Sequence, residues 1–155
     1  VISGTIGNDL FDGRGGADTI NGGGGYDTYF VRQGYGALTI DNSTSGGMTA
    51  QGEVDFGPGI TEQNLWFSQS GRDLIATVLG SADTVAVKGW FKGNPSAQLA
   101  EVKAFDGLKL DSQVGQLVTT MAAYAGSNPG FDPMATAAMP TDPSLRSALS
   151  AAWHS

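Results

Sequence analysis

The first thirty residues alternate between short polar, glycine-rich stretches and large apolar side chains. Written in units of nine, residues 4–30 read GTIGNDLFD, GRGGADTIN and GGGGYDTYF. Each unit has Gly at positions one and four, Asp at position six and an apolar or aromatic residue at position eight. Six residues of the form G-x-x-G-x-D favour a turn, because Gly adopts positive φ at little cost. The last three residues predict a short strand whose central side chain points inward.

Two such units make one winding of turn, strand, turn and strand every eighteen residues. Asp9 and Asp27 are therefore predicted to lie on the same side, one winding apart. Neighbouring strands lie about 4.8 Å apart, and two carboxylates at that spacing repel each other unless a cation lies between them. Calcium is suited to this place, since it takes about 6–8 oxygen ligands, backbone carbonyls included. The pattern is that of calcium-binding nonapeptide repeats, and its strict phase distinguishes it from a flexible Gly-rich linker.

The three units resemble the repeats of the RTX family, the β-roll modules of proteins that Gram-negative bacteria export by type I secretion. In that family the ion lies between one turn and the next turn but one. The resemblance implies one complete site here, formed by the carbonyls of Thr5, Gly7, Gly22 and Gly24 and the carboxylates of Asp9 and Asp27.

The resemblance also implies half of a second site, contributed by Arg14, Gly16 and Asp18. Its partner turn belongs to a degenerate fourth unit within the stretch RQGYGALTI (32–40), where Leu38 stands at the place of the family's Asp. The second site is therefore incomplete unless Asp41 or a water molecule substitutes for the missing carboxylate. Alternatively, Asp18 completes a site with Gly13, Gly15 and a repeat upstream of this sequence.

From residue 53 to residue 110 the pattern changes to short strands separated by turn residues. Strands are predicted at 54–56, 64–68, 73–79 and 84–88, followed by a hairpin of 99–105 and 108–110 around Asp106-Gly107. Residues 41–52 are predicted to form a loop, and residues 89–96 a loop or one helical turn. We interpret the segment as an antiparallel β segment that continues or caps the repeats.

This segment resembles the haemolysin-type calcium-binding-protein related domain that follows RTX repeats in many secreted bacterial proteins. The resemblance lies in the stretches VDFGPGIT (54–61), NLWFSQSGRDL (64–74), DTVAVKGWF (83–91) and AEVKAFDGLKL (100–110). It implies a fold and a context but no particular activity, because such modules follow proteases, lipases, glycan-active enzymes and adhesins alike.

From residue 111 onward Ala, Ser, Thr and Pro become frequent and charge nearly vanishes. Apolar residues recur at helical spacing from Val114 to Met121, which predicts an amphipathic helix over 112–125 that ends at Gly126. Asp142 as N-cap and Pro143 at the first helical position predict a second helix. A weakly charged tail of this kind resembles the uncleaved export signal of type I substrates. The other interpretation is that the tail forms two ordinary helices that pack on the β core. The two interpretations are compatible if the tail is unfolded during export and packed afterwards.

Composition restricts the classes of function. The net charge of −7 argues against nucleic acid and an anionic membrane surface as partners. Cysteine is absent, which excludes disulfides and thiolate sites. The single histidine, His154, is the penultimate residue, which argues against a catalytic triad or a His-rich metal site. No apolar run is long enough to span a bilayer. Because the sequence opens within a repeat and without a signal peptide, we expect a C-terminal piece of a longer protein.

The sequence therefore predicts a mainly β fold, in which a short parallel β-roll is capped by an antiparallel β segment and followed by two C-terminal helices. Three parts are expected: calcium-binding repeats at 1–40, a β-rich capping domain at 41–111 and a helical tail with the export signal at 112–155. Four aromatic residues could either form a platform that binds a sugar or pack in the hydrophobic core: Trp66, Phe67, Trp90 and Phe91. We predict that they pack in the core.

The expected function is that of a secreted, non-enzymatic calcium-binding module that folds on calcium after export. Its expected partners are calcium ions, the upstream domain of the parent protein and, transiently, the ABC transporter of a type I system. The alternative is a calcium-stabilised module that binds a glycan or a cell surface.

Overall fold

The computed structural model describes residues 1–43, 51–93 and 97–155. Its secondary structure is mainly β with two helices, as predicted, and the strands form two six-stranded sheets. The first sheet contains, in spatial order, β1 (Ile2–Ser3), β3 (Thr19–Asn21), β5 (Ala37–Asp41), β9 (Thr84–Val87), β8 (Asp73–Val78) and β7 (Leu65–Ser70). The second contains β12 (Trp153–His154), β11 (Lys109–Leu110), β10 (Glu101–Lys103), β6 (Gln51–Phe56), β4 (Tyr26–Val31) and β2 (Leu10–Asp12).

Consecutive strands of the repeats alternate between the two sheets. β1 pairs in parallel with β3 and β3 with β5, while β2 pairs in parallel with β4. Each strand therefore has the next strand but one as its neighbour, and the chain passes from sheet to sheet through a glycine-rich turn. The residue at position eight of each unit is buried, as predicted, with exposures of 7% for Phe11 and 0% for Ile20 and Tyr29.

The segment after the repeats is mixed, whereas the sequence predicted an antiparallel segment. β6 pairs in parallel with β4, β10 with β6, and β9 with β5. Antiparallel pairing joins β7, β8 and β9 in one sheet and β10, β11 and β12 in the other. The physical reason is that the winding of the repeats continues: the chain leaves β4 for β5 in the other sheet and returns as β6, which therefore runs parallel to β4. β6 and β9 also cover the edges of β4 and β5, whose backbone groups would otherwise be unpaired.

The predicted loops lie partly outside the described residues, at 44–50 and 94–96. Where residues 41–52 are described, strand replaces the predicted loop at both ends, since β5 extends to Asp41 and β6 begins at Gln51. The hairpin around Asp106-Gly107 is confirmed, with β10 and β11 antiparallel.

Both C-terminal helices are present. α1 (Val114–Ser127) begins two residues later than predicted and continues through Gly126, so the predicted end at that glycine is wrong. α2 (Pro143–Ala152) begins as predicted, because the Asp142 carboxylate accepts a hydrogen bond of 3.1 Å from the N–H of Leu145. Neither helix in the described part of the chain has the length and apolar character needed to cross a membrane.

Aromatic side chains pack α1 and the segment that follows it on the first sheet. Trp66 on β7 contacts Tyr124 of α1 and Phe131, with ring centroids 5.9 and 4.4 Å apart. Phe67 lies 6.1 Å from the Trp153 ring of β12. The predicted core role of the aromatic residues is confirmed by burial of Trp66, Phe67 and Trp90, while Phe91 is partly buried against the same core.

The C-terminal strand β12 carries a contact that depends on pH. His154 Nε2 lies 2.9 Å from Asp111 Oδ2, and this hydrogen bond and charge raise the pKa of His154. A histidine whose pKa is raised by folding stabilises the folded state fully at a pH below its pKa in the unfolded chain, about 6.5. This stabilisation is lost as the pH rises through the pKa of the histidine in the folded protein.

We expect Asp111→Asn to lower the pKa of His154 in the folded protein, because the facing charge is lost. His154 is the only histidine, so its imidazole signals in a proton NMR titration are unambiguous. The same titration in denaturant supplies the reference value. Identical folded pKa values in the two proteins would contradict the ion pair.

Candidate metal centre

Four glycine-rich turns connect the strands of the repeats: the first turn (4–9), the second turn (13–18), the third turn (22–27, which runs into β4) and the fourth turn (32–36). The first and third turns lie on one side of the fold, since the following strands β2 and β4 are neighbours. The second and fourth turns lie on the other side, since β3 and β5 are neighbours. The predicted ligands of the complete site thus come together in one pair of turns.

In the first turn, the Asp9 side chain is held over its own backbone. Its Oδ2 accepts hydrogen bonds of 2.7 Å from the N–H of Thr5 and 3.0 Å from the Thr5 hydroxyl. The hydroxyl in turn accepts a bond of 3.0 Å from the N–H of Gly7. These contacts fix the first turn and its carboxylate as one unit.

In the third turn, the Asp27 side chain is fully buried and points towards the first turn. Its Oδ1 accepts a hydrogen bond of 2.9 Å from the N–H of Asp9. Its Oδ2 is shielded from solvent and has no hydrogen-bond partner among the described residues. Burial raises the pKa of the Asp27 carboxyl, the bond from Asp9 opposes the rise and the Asp9 charge adds to it. A buried carboxylate oxygen without a hydrogen-bond partner destabilises the folded protein unless a proton or a cation neutralises its charge.

Backbone carbonyls predicted as ligands line the contact between the first and third turns. Each of three carbonyl oxygens lies so close to a glycine of the opposing turn that a Cβ atom there would overlap it: Thr5 O against Gly23, Gly7 O against Gly25 and Gly22 O against Gly4. The two backbones can approach this closely only because these positions lack a side chain. Gly24, the fourth predicted carbonyl, lies in the third turn with φ of 142°.

This set of donors fits calcium. Carboxylates and backbone carbonyls are the hard oxygen ligands that calcium takes. Within residues 1–43, 51–93 and 97–155, no three side chains of His, Cys, Asp or Glu lie close enough together to hold a metal. A metal at this place therefore depends on the carbonyls of the two turns together with Asp9 and Asp27. Calcium bound there would supply the positive charge that neutralises the two carboxylates.

The predicted half-site residues Arg14, Gly16 and Asp18 lie in the second turn, beside the fourth. Because Thr19 pairs with Thr39, Leu38 stands opposite Asp18, and it is buried in the core at 4% exposure. A Cβ atom on Gly36 of the fourth turn would lie 3.4 Å from the Gly16 oxygen. The two turns are therefore in close contact, with an apolar side chain at the place of the second carboxylate.

Asp41 lies three residues beyond Leu38 in the extended strand β5, about 10 Å along it at the usual rise. Its carboxylate accepts a hydrogen bond of 3.2 Å from the N–H of Ser43 and lies 4.0 Å from Lys88 Nζ. The structure does not bring Asp41 to the second turn. Gly13 does lie beside Asp18, since a Cβ atom on it would be 3.4 Å from Oδ2.

The second and fourth turns are linked through Asp12. Its Oδ1 accepts hydrogen bonds from the Tyr35 hydroxyl and, at 3.3 Å, from the N–H of Arg14. The hydrogen bond from Tyr35 is the main cause that lowers the pKa of Asp12. Arg14 adopts φ of 55°, and it is the one residue other than glycine with positive φ in the described part of the chain.

Asp83 was not among the predicted site residues, and it is buried at 7% exposure. Its carboxylate accepts hydrogen bonds of 2.8 Å from each of the N–H groups of Gly34 and Gly36 in the fourth turn. A signal for it was present, because ADTV (82–85) repeats the ADTI (17–20) of the second unit.

A buried pair of polar side chains beside the third turn was not predicted either. The Tyr29 hydroxyl donates a hydrogen bond of 2.6 Å to Asn42 Oδ1, and Asn42 is fully buried. Asn42 Nδ2 donates in turn to the carbonyl of Gln98 at 3.3 Å. A Cβ atom on Gly22 would overlap both the Tyr29 hydroxyl and Asp27 Oδ2, so this pair borders the candidate metal centre.

Comparison with known families identifies the repeats. The model of the RTX calcium-binding nonapeptide repeat (4 copies) matches residues 1–29, about a fifth of the chain. The matched residues contain the first, second and third turns. The match confirms the predicted repeats and indicates that they bind Ca²⁺. None of the curated proteins compared with the chain matches it.

Proposed function

We propose that this chain is a calcium-binding β-roll module of a larger secreted bacterial protein, which leaves the cell by type I export and folds when it meets calcium outside. The buried carboxylate of Asp27, next to the turn that carries Asp9, is the observation that supports this most directly. Without an ion, folding buries one carboxylate beside another. With calcium, the same two groups become ligands.

The stabilisation follows from mass action. An ion that binds only the folded chain stabilises it by about 2.7 kcal/mol at a hundred times its Kd. Extracellular calcium modules bind at about 10⁻⁴ to 10⁻³ M, a concentration typical of the outside of a cell. Scarce calcium inside the cell leaves the repeats unfolded and suitable for export, and ample calcium outside lets them fold.

The strand order supports the β-roll interpretation of the repeats. Parallel neighbours are the next strand but one, and the chain alternates between two sheets through glycine-rich turns. We assign residues 1–40 to the calcium-binding repeats, 41–111 to the cap and 112–155 to the tail with the export signal. The tail is unfolded during export and packed on the β core afterwards. We propose no enzymatic activity for the module.

A calcium titration tests the proposal. We expect the far-UV circular dichroism of the chain, started in chelator, to show a cooperative gain of β signal as calcium is added. The midpoint is expected at about 10⁻⁴ to 10⁻³ M.

Magnesium is the control, because it demands near-ideal octahedral geometry and gives up its water reluctantly. We expect little gain of signal from it. A chain that is fully folded in chelator would contradict the folding role, since the core would then suffice without the ion.

The alternative function, binding of a glycan or a cell surface, has one observation in its favour. Phe105 is 56% exposed at the hairpin tip and lines a cleft of about 370 Å³ with Phe30 and Asp55. Aromatic and carboxylate side chains together suit sugar recognition. Glycan-array binding that chelator abolishes would favour this function.

A further inference from the structure

We propose that Asp83 supplies, from the following winding, the carboxylate that the fourth turn lacks, and that it closes this side of the repeats without an ion. This inference stands on the hydrogen bonds of the second and fourth turns, and it does not depend on the export or folding role proposed above.

The first turn shows what the carboxylate of a unit does for its own backbone. Asp9 Oδ2 accepts a hydrogen bond of 2.7 Å from the N–H of Thr5, which lies four residues earlier. Thr5 and Asp9 are positions two and six of the unit. An N–H group that points into the turn is thus satisfied by the unit's own Asp.

The fourth turn has the same backbone groups but no such Asp. The register places Leu38 at the position of the carboxylate, and its side chain lies in the core instead. Gly34 and Gly36 precede Leu38 by four and two residues, as Thr5 and Gly7 precede Asp9. In the first turn the N–H of Thr5 bonds to Asp9 and that of Gly7 to the Thr5 hydroxyl, but Gly34 has no hydroxyl and Leu38 no carboxylate, so neither acceptor is present in the fourth turn itself.

Asp83 takes the place of both acceptors. Its Oδ2 accepts from the N–H of Gly34 and its Oδ1 from the N–H of Gly36, each at 2.8 Å. Both glycines have positive φ, 83° and 74°, which lets their N–H groups converge on one carboxylate. Hydrogen bonds from backbone N–H groups to a carboxylate are among the stronger ones in proteins.

The position of Asp83 is itself fixed by its neighbours. Its N–H donates to Ser81 Oγ at 3.2 Å and its carbonyl accepts from the N–H of Val78 at 2.9 Å. The next residue, Thr84, donates at 3.0 Å to the carbonyl of Gly36. That carbonyl is therefore engaged in the sheet, which favours closure by protein groups over coordination of an ion at this place.

The two sides of the repeats then differ in what stabilises them. The first and third turns present carboxylates and carbonyls to calcium, while the fourth turn is held by Asp83. The side closed by Asp83 also adjoins the strand β9 that joins the repeats to the rest of the fold.

The test is the calcium dependence of stability in the Asp83→Ala variant of the full chain. Melting temperatures are measured at calcium concentrations spaced tenfold apart, from the onset of folding upward. We expect a fall of about 5 °C or more at every concentration, since two hydrogen bonds to a buried carboxylate are lost. The slope of the melting temperature against the logarithm of calcium, and the number of ions counted by calorimetry, stay as in the parent protein.

Asp9→Asn is the matched control, because it changes a predicted calcium ligand and is expected to reduce that slope. A reduced slope or one ion fewer in Asp83→Ala would overturn the proposal and make Asp83 a calcium ligand. An unchanged melting temperature would overturn it as well. If Asp83→Ala does not fold, Asp83→Asn serves instead, since its amide keeps one acceptor oxygen and should give the same pattern with a smaller fall.

Discussion

Replacement of Asp27 by Asn is expected to raise the calcium concentration at half-maximal folding by about tenfold or more, equivalent to about 1.4 kcal/mol of binding free energy. The substitution keeps the size and shape of a fully buried side chain. Its amide oxygen can still accept the hydrogen bond from the N–H of Asp9. What the variant loses is the negative charge, so the expected change reports on the cation and not on packing.

The charge of Asp27 matters for calcium because the protein itself does little to neutralise it. Its Oδ2 has no hydrogen-bond partner among residues 1–43, 51–93 and 97–155, and the nearby Asp9 charge is of the same sign. Loss of that charge turns a charged calcium ligand into a neutral one, which weakens binding of the ion and shifts the folding curve to higher calcium. Relief of the repulsion between Asp27 and Asp9 in the ion-free state acts in the opposite direction, so the expected shift requires the weaker binding to be the larger of the two effects.

Two matched variants make this expectation specific. Asp9→Asn should shift the midpoint in the same direction, because Asp9 belongs to the same pair of turns. Asp18→Asn should shift it less, because Asp18 faces Leu38 across the second and fourth turns. Titrations followed by circular dichroism under identical conditions measure all three. Equal shifts in the three variants would contradict the assignment of one complete site.

The structure of the repeats could be predicted from the sequence because each turn and strand is determined by residues within one nine-residue unit. Position eight of each unit is buried at Phe11, Ile20 and Tyr29, as the alternation of polar and apolar residues predicted. The spacing of eighteen residues likewise predicted that Asp9 and Asp27 share one side, which the pairing of Leu10 with Thr28 bears out. Turn, strand and register here all follow from one short motif.

Strand direction after the repeats could not be predicted in the same way. The alternation of apolar residues in β6 shows which face is buried, but it is the same for a parallel and an antiparallel neighbour. β6 is parallel to β4 because the chain keeps alternating between the two sheets after β5, as it does in the repeats, and this winding is a property of the assembled sheets.

The role of Asp83 lay beyond sequence reasoning for a related reason. Its hydrogen bonds reach 49 and 47 residues back along the chain, to Gly34 and Gly36. A match between ADTV and ADTI marks the residue as similar to a repeat Asp. Only the pairing of β5 with β9 brings it to the turn that lacks a carboxylate.

Leu145→Ala is expected to lower the free energy of unfolding by about 2–5 kcal/mol, the usual cost when a buried leucine is truncated. Leu145 is fully buried in the first turn of α2, where its N–H is held by Asp142. The tail is part of the core of the folded protein, since Leu145, Leu149 and Ala152 are buried in it. Denaturant unfolding at saturating calcium measures the loss.

Ser147→Ala on the same helix is the control, because Ser147 is exposed and surface changes usually stay within about 0.5 kcal/mol. A loss below about 1 kcal/mol for Leu145→Ala would contradict a tail that belongs to the core. The comparison with Asp27→Asn then separates two sources of stability. Packing of α2 does not involve the ion, so Leu145→Ala should lower stability equally at every calcium concentration at which the protein folds. Asp27→Asn should instead reduce the dependence on calcium itself, because Asp27 belongs to the pair of turns that presents oxygens to the ion.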